Sequence, residues 1–564
     1  MDLPTTQTIS LLMQKLQKEK KVALDFIERR YEQWTDNYEL YRNKVKTNRL
    51  TQRQEVNIPL MKETIKTILS KVDDAPMVDW KELSGDDMKE LIFQEKWNND
   101  YDRLNMEGID IQDKKTVLLF GRAFKKLNWV DNKIDIRALD IYDVVVDPLT
   151  DPLNLETARF VIQKNIFRSL RDILADERYE KEGKAKLKVW LTQPEGILQS
   201  SKDREEWEKK LERLKSMGVD SSEFSLFAGG DVIVNLTEHY TNIWNDKIKE
   251  YERRVIVYAN ETIELLNEKL EDLIGVDFYP FITWAEDIET QDFWSDSVAD
   301  LVRVPNKILN IWFSQMVENR TLRNFQMHWY DATTQGYAPQ TYEPGPGRML
   351  PAPGDPSKTI MPVDIQGLDE TMNAINFLTT IIERGTGATA IEKGQGEQKQ
   401  QTLGEINVLV GKAKERVITM TKAYRRSWKE LTQKYQAILN ANANKKETLF
   451  KKGRDGRMWP KVIFPSDWRS EMGYEALISS TSEQEEDSVK TLQKFQVAMQ
   501  QFPENKIIRK ISQKRMLETL NLSPQELAEV REFEEQFEKE QVSQEFMAGA
   551  MPPEQNQLPV TPLM

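Results

Sequence analysis

Apolar residues recur every three to four positions over the first 75 residues: Leu11-Leu12, Leu16, Val22-Ala23 and Phe26-Ile27, then Ile58, Met61, Ile65, Ile68-Leu69 and Val72. This period predicts two helices, with Pro59 near the first turn of the second, where its missing N–H costs nothing. Trp34, Tyr38 and Tyr41 fall three to four residues apart and read as one packed aromatic face. From Thr116 the pattern reads as strand. Val117-Leu118-Leu119-Phe120 and, past Gly121, residues 123–130 are predicted as two strands, followed by a turn at Asp131-Asn132-Lys133. Ile134, Ile136 and Ala138 alternate with Asp135 and Arg137, a half-buried strand, and Val144-Val145-Val146 runs into the stop Asp147-Pro148. Residues 232–241 and 255–258 form a second strand-rich stretch, and 202–217 between the two stretches a highly charged, solvated helix. The first half is therefore expected to be mixed α/β.

The second half is patterned differently. Val298, Leu301-Val302, Pro305, Ile308-Leu309, Trp312-Phe313 and Met316 make a stripe of period 3.6, predicting a helix over 294–322 that Pro305 kinks or breaks. Seven prolines between 339 and 362, with Gly345, Gly347 and Gly354 among them, exclude regular helix there. Helix is predicted to resume at 368 and to stop at Gly385-Thr386-Gly387. A polar, glycine-rich stretch around 394–401 reads as a mobile loop. A helix over 402–440 follows, about 55–60 Å long at 1.5 Å per residue. After a strand-like patch at Val462-Ile463-Phe464, the remainder is predicted to be helical and increasingly acidic, with a disordered tail from 551.

Composition narrows the chemistry. Lys plus Arg is 79 against 92 Asp plus Glu, a net charge of −13, which argues against a generally basic nucleic-acid binder while leaving local basic patches open. Mean hydropathy is −0.63, and no apolar run approaches the roughly 18–20 residues of a membrane span. The start, Met1-Asp2-Leu3-Pro4, lacks the basic and apolar segments of a signal peptide, so synthesis and retention in the cytoplasm are expected. Absence of Cys removes disulfides, thiolate catalysis and Cys-bearing zinc sites, and His239 and His328 are too few for a His-rich metal site. No P-loop, His-Glu-x-x-His or Gly-x-Ser-x-Gly occurs. Acidic pairs such as Asp86-Asp87 and Glu485-Glu486-Asp487 read as solvated surface, and nothing marks a two-metal nuclease centre among them. No enzyme, cofactor or metal is expected.

Charge distribution says more. Residues 402–440 carry eight basic side chains (Lys412, Lys414, Arg416, Lys422, Arg425, Arg426, Lys429 and Lys434) against three acidic ones, and 445–461 continue the run. Residues 526–540 are the acidic pole. A phosphate-facing surface and a match of basic and acidic faces between subunits both account for this polarity.

The order of parts is recognisable: an α/β region ending in strand–Asp-Pro at Val144–Pro148, then Tyr279-Pro280-Phe281-Ile282, then Phe293-Trp294-Ser295-Asp296-Ser297 opening a long helix with Asn306 and Asn310. A Pro/Gly insertion, a second helix, a polar glycine loop and a further long helix complete it. From about Asn57 to about Lys514 the chain resembles the portal proteins of tailed bacteriophages, the head-to-tail connectors, particularly those of short-tailed phages. The specificity lies in the order and spacing, since each motif alone is weak.

The resemblance implies a mixed α/β, mainly helical portal fold assembled as a dodecameric ring around a DNA channel. Residues 1–292 would be wing, 293–322 and 368–384 stem helices, 323–367 clip, 385–401 channel loop, 402–470 long helix and wing return, and 471–550 crown. Arg384, Lys393 and Lys399 would touch passing phosphates, and Leu309, Trp312, Phe313 and Met316 would pack the stem. Implied partners are other copies of the chain, double-stranded DNA, the terminase large subunit, major capsid and scaffolding proteins, and tail adaptors, with no membrane. The place would be the portal vertex of the virion, after assembly in the host cytoplasm. A cytosolic helical scaffold or adaptor without a DNA channel is the alternative reading.

Overall fold

Helices and strands alternate in the computed structural model, which describes residues 11–44, 56–70, 72, 76–216, 232–246, 248–324, 328–330, 360–362, 369–386, 403–452 and 458–479. All but Ser479 belong to one unit, residues 1–478; residues 479–564 form a second. The fold is mixed α/β, with more residues in helix than in strand among those described.

Helices α1 (Leu11–Tyr41) and α2 (Leu60–Leu69) stand where the spacing predicts them, Pro59 occupying the N-cap of α2. Trp34 and Tyr41 are buried, and Tyr38 stacks on Phe120 at 6.4 Å between ring centroids. Strand β1 (Met77–Glu82) and α3 (Asp87–Arg103) lead into α4 (Met106–Phe120), which overturns one expectation. Val117-Leu118-Leu119-Phe120 is the last turn of α4, not a strand. All four side chains are buried, and a wholly apolar run has no period by which helix and strand differ. Gly121 closes α4 at φ +88°, its N–H donating to the Val117 carbonyl at 2.8 Å.

The strands follow. β2 (Arg122–Val130) pairs antiparallel with β3 (Lys133–Leu139) and, on its other edge, with β9 (Phe281–Ala285). The second sheet runs β4 (Val144–Val146), β5 (Phe160–Ser169), β6 (Ile233–Asn245), β7 (Glu250–Ala259) and β8 (Ile263–Lys269), antiparallel throughout. Helices α5 (Leu170–Ala175), α6 (Lys181–Leu191) and α7 (Pro194–Ser216) fill the connection from β5 to β6, and α8 (Leu270–Ile274) follows β8. The charged stretch is thus, over 202–216, the later part of a longer helix.

Beyond β9 come α9 (Val298–Asn324), β10 (His328–Tyr330), β11 (Ile360–Pro362), α10 (Asp369–Thr386) and α11 (Leu403–Asn442). After α11 the chain makes β12 (Glu447–Lys452), β13 (Met458–Ile463), the short α12 (Pro465–Trp468) and β14 (Tyr474–Ser479). The purely helical remainder expected after 464 is corrected by β14, which pairs with β1 and returns the chain to its beginning. Tyr474 supplies the reason: it stacks on Phe93 at 4.1 Å, a tertiary contact that local pattern does not encode.

A buried polar layer fastens α11 to the core. Tyr424 donates to the Asp110 carboxylate, which Lys114 pairs at 2.6 Å, and Tyr435 donates to Asp100 at 2.7 Å. Asp113 pairs with Lys125 at 2.8 Å and accepts from the Trp284 indole at 2.5 Å. Burial pushes the Asp113 carboxyl above its ordinary pKa despite Lys125, and burial followed by Asp100 pushes the Tyr435 phenol well up. Such pairs stabilise little in net terms, because desolvation offsets their attraction, but each half is costly without the other.

Candidate functional site

The helical pair α9–α10 and the segment between them hold most of the residues the sequence singled out. α9 starts at Val298 rather than at Trp294, because Ser297 and Asp300 cap each other. The Ser297 hydroxyl accepts from the Asp300 N–H at 3.1 Å, and the Asp300 carboxylate accepts from the Ser297 N–H at 2.9 Å. Trp294 instead packs in an aromatic cluster, 5.6 Å from Trp34 and 5.8 Å from Phe124. The helix runs unbroken through Pro305, so of the kink or break expected there the break is absent. Pro305 stands in the eighth position of the helix, and packing on α2, α4 and α10 holds the backbone that a lone helix would lose there.

Long-range hydrogen bonds tie α9 to the first helices. Asn310 accepts from the Ile58 N–H at 2.9 Å and donates to Asn57 at 3.0 Å, and the Ser314 hydroxyl accepts from the Val56 N–H at 2.9 Å. Asn37 donates to Asp300 at 3.1 Å and to the Leu119 carbonyl at 3.1 Å. Lys307 pairs with Asp36 at 2.6 Å. Asn306 is fully buried, and neither of its side-chain polar atoms finds a hydrogen bond among the described residues.

The apolar stripe of α9 divides into two faces. Val302, Leu309 and the half-buried Trp312, Phe313 and Met316 pack on the core. Leu301, Val304 and Ile311 point away and are exposed, Leu301 by 59%. α10 repeats this: Ile375 and Ile382 are buried, while Met372, Phe377 and Ile381 are exposed, Phe377 by 67%. A helix apolar on two faces has more to bury than one chain covers. β10 and β11 pair antiparallel, His328 opposite Pro362 and Tyr330 opposite Ile360, bridging the two ends of the proline-rich insertion.

Of the nominated cations, Arg384 lies in the last turn of α10, and Lys393 and Lys399 lie outside the described residues. Gly385 and Thr386, expected to open the loop, are still helical. The basic run of α11 is not one surface. Lys422, Arg426 and Lys429 are exposed, but Lys434 is buried, pairing with Glu156 at 2.8 Å and donating to the carbonyls of Tyr279 and Phe281 at 2.9 and 2.8 Å.

The sequence reading missed Arg122, 2% exposed at the start of β2. It donates to the Pro152 carbonyl at 3.0 Å and to the Thr283 hydroxyl at 3.4 Å, and its guanidinium stands 4.0 Å from the Phe293 ring centroid. Burial pushes its pKa down to about 9. Glu286, just past β9, is raised to about 7 by burial and then by Asp287. The unfolded carboxyl loses its proton near pH 4.5 and the folded one near 7. The wild-type fold therefore loses stability as pH rises through that window, by roughly 3 kcal/mol at most. Glu286→Gln is expected to raise the melting temperature at pH 8 and leave it unchanged at pH 4, as melts at the two pH values will show.

Among the described residues no group of three or more His, Cys, Asp or Glu is placed to hold a metal ion, and no helix is long and apolar enough to cross a membrane. No curated protein matches the chain. The phage SU10 portal protein family matches it over residues 61–559, beginning in α2 and taking in both faces of the α9–α10 pair. The chain belongs to that family: it is a phage portal protein, a structural component of the virion.

Proposed function

We propose that copies of this chain close into a dodecameric ring at one capsid vertex, and that double-stranded DNA passes through its axis during packaging and ejection. The outward apolar face of α9 and α10 carries this reading: Leu301, Val304, Ile311, Phe377 and Ile381 are exposed on one chain and would be covered by a neighbour's stem. Leu309, Trp312, Phe313 and Met316 hold the stem to its own core. Residues 1–292 serve as wing, 323–367 as the clip, and 471–550 as crown. The clip docks first the terminase large subunit and later the tail adaptor. The channel loop begins past α10, over 387–401, and Arg384 at the end of α10 joins Lys393 and Lys399 in meeting phosphates transiently. A net charge of −13 per chain repels the polyanion and keeps those contacts brief. ATP hydrolysis belongs to the motor, as the missing P-loop suggests. Capsid and scaffolding proteins meet the ring in the host cytoplasm.

Mass photometry with negative-stain imaging tests this. Particles of twelve times the 66.0 kDa chain with an axial hole are expected. Leu301→Glu with Phe377→Glu is expected to weaken assembly at least tenfold, about 1.4 kcal/mol per contact or more, without changing the circular dichroism of the chain. A stable dimer or tetramer without a hole would favour the scaffold reading instead.

A further inference from the structure

Between β2, β9 and α11 lies a cleft of about 910 Å³ in which cations outnumber carboxylates. Arg122 lines its buried end, and Lys422, Arg426 and Lys429 of α11 line its exposed side. The two acids on its walls are already engaged: Glu156 by Arg253 at 2.6 Å and Lys434 at 2.8 Å, and Glu430 by Lys434 at 2.9 Å. Lys429 has only a loose contact with Glu475, at 3.9 Å. Among the described residues Lys422 and Arg426 form no ion pair.

Arg122 is the decisive residue. It is 2% exposed, no carboxylate of the described residues comes within 4.0 Å, and its Nε has no hydrogen-bond partner. The nearest acidic influence, Asp292, is paired with Arg30 at 2.7 Å. Every other buried cation described above has a carboxylate at hand: Lys114, Lys125 and Lys434. A buried guanidinium without a counter-ion is costly, and its planar fork matches an oxyanion.

We infer that this cleft is an oxyanion site completed by a carboxylate side chain from a second copy of the chain. The inference rests on the ring reading above. A side-chain carboxylate fits within a cleft of about 910 Å³, whereas a DNA duplex, a convex rod, is too wide to enter it. The chain also has acid to spare, 92 Asp and Glu against 79 Lys and Arg. Lys422 and Arg426 hold the carboxylate by charge-assisted hydrogen bonds, and the buried charge of Arg122 beneath attracts it without direct contact.

Two variants and one probe test it. K422E/R426E changes only exposed residues, and R122Q removes the buried charge. Both are expected to keep the circular dichroism of the unassembled chain and to lower its apparent assembly constant at least tenfold. Inorganic phosphate is expected to suppress wild-type assembly more than chloride at equal ionic strength, and to lose that advantage in R122Q. Wild-type assembly by K422E/R426E, or phosphate acting no differently from chloride, overturns the inference. If R122Q does not fold, the exposed pair and the phosphate titration decide alone. A wild-type chain that forms no ring refutes the ring reading and this occupant with it. In that case a phosphate-specific rise in melting temperature, absent in R122Q, would still identify an oxyanion site.

Discussion

Gly121→Ala is expected to lower the stability of the chain by about 2–6 kcal/mol and to weaken its assembly. An added Cβ would lie 2.0 Å from the Ser295 carbonyl oxygen and 2.8 Å from its carbon, and both are backbone atoms without a rotamer to yield. The backbone at φ +88° is itself costly for any residue with a Cβ. Left-handed strain of about 1–3 kcal/mol and overpacking of about 1–3 kcal/mol act together, against a typical total stability of about 5–15 kcal/mol. Damage would reach the functional helix directly, because Ser295 lies two residues before the Ser297–Asp300 cap of α9. Urea denaturation followed by circular dichroism measures the loss. A wild-type midpoint would mean that the 295–296 backbone can retreat.

The second large effect lies in the buried polar layer. Asp113→Ala strands the Lys125 ammonium in a site where both side chains are 1% exposed, and deprives the Trp284 indole of its acceptor. A loss of about 3–5 kcal/mol is expected, the usual result of leaving one half of a buried pair. The double variant Asp113→Leu with Lys125→Met should recover much of it, leaving chiefly the unpaired Trp284 N–H at about 1–3 kcal/mol. Denaturation of the two single variants and the double in one cycle gives the coupling. Additive losses would show that Asp113 and Lys125 act independently.

Both sites show where sequence reading stops. The alternation of Ile134 and Ile136 with Asp135 and Arg137 led directly to β3, since a two-residue period is a property of the strand itself. The spacing in α2, α10 and α11 likewise located those helices to within a few residues. Val117–Phe120 failed because burial on every side erases the period. The helix ends at Gly121, where Ser295 approaches from 174 positions away, and no local pattern carries that contact.

Order and spacing along the chain carried the resemblance to portal proteins; the mixed α/β class and the two helices flanking a proline-rich insertion were legible in the sequence by itself, because they follow from local periodicity and from what each residue type forbids. Tertiary structure alone decided which apolar face of α9 is covered and which is bare. It alone decided that Lys434 of the basic run is internal, and that Arg122 is a buried cation without a carboxylate. Burial and charge pairing depend on which distant segments meet, and a side chain's environment is a property of the assembled core, not of its neighbours in sequence.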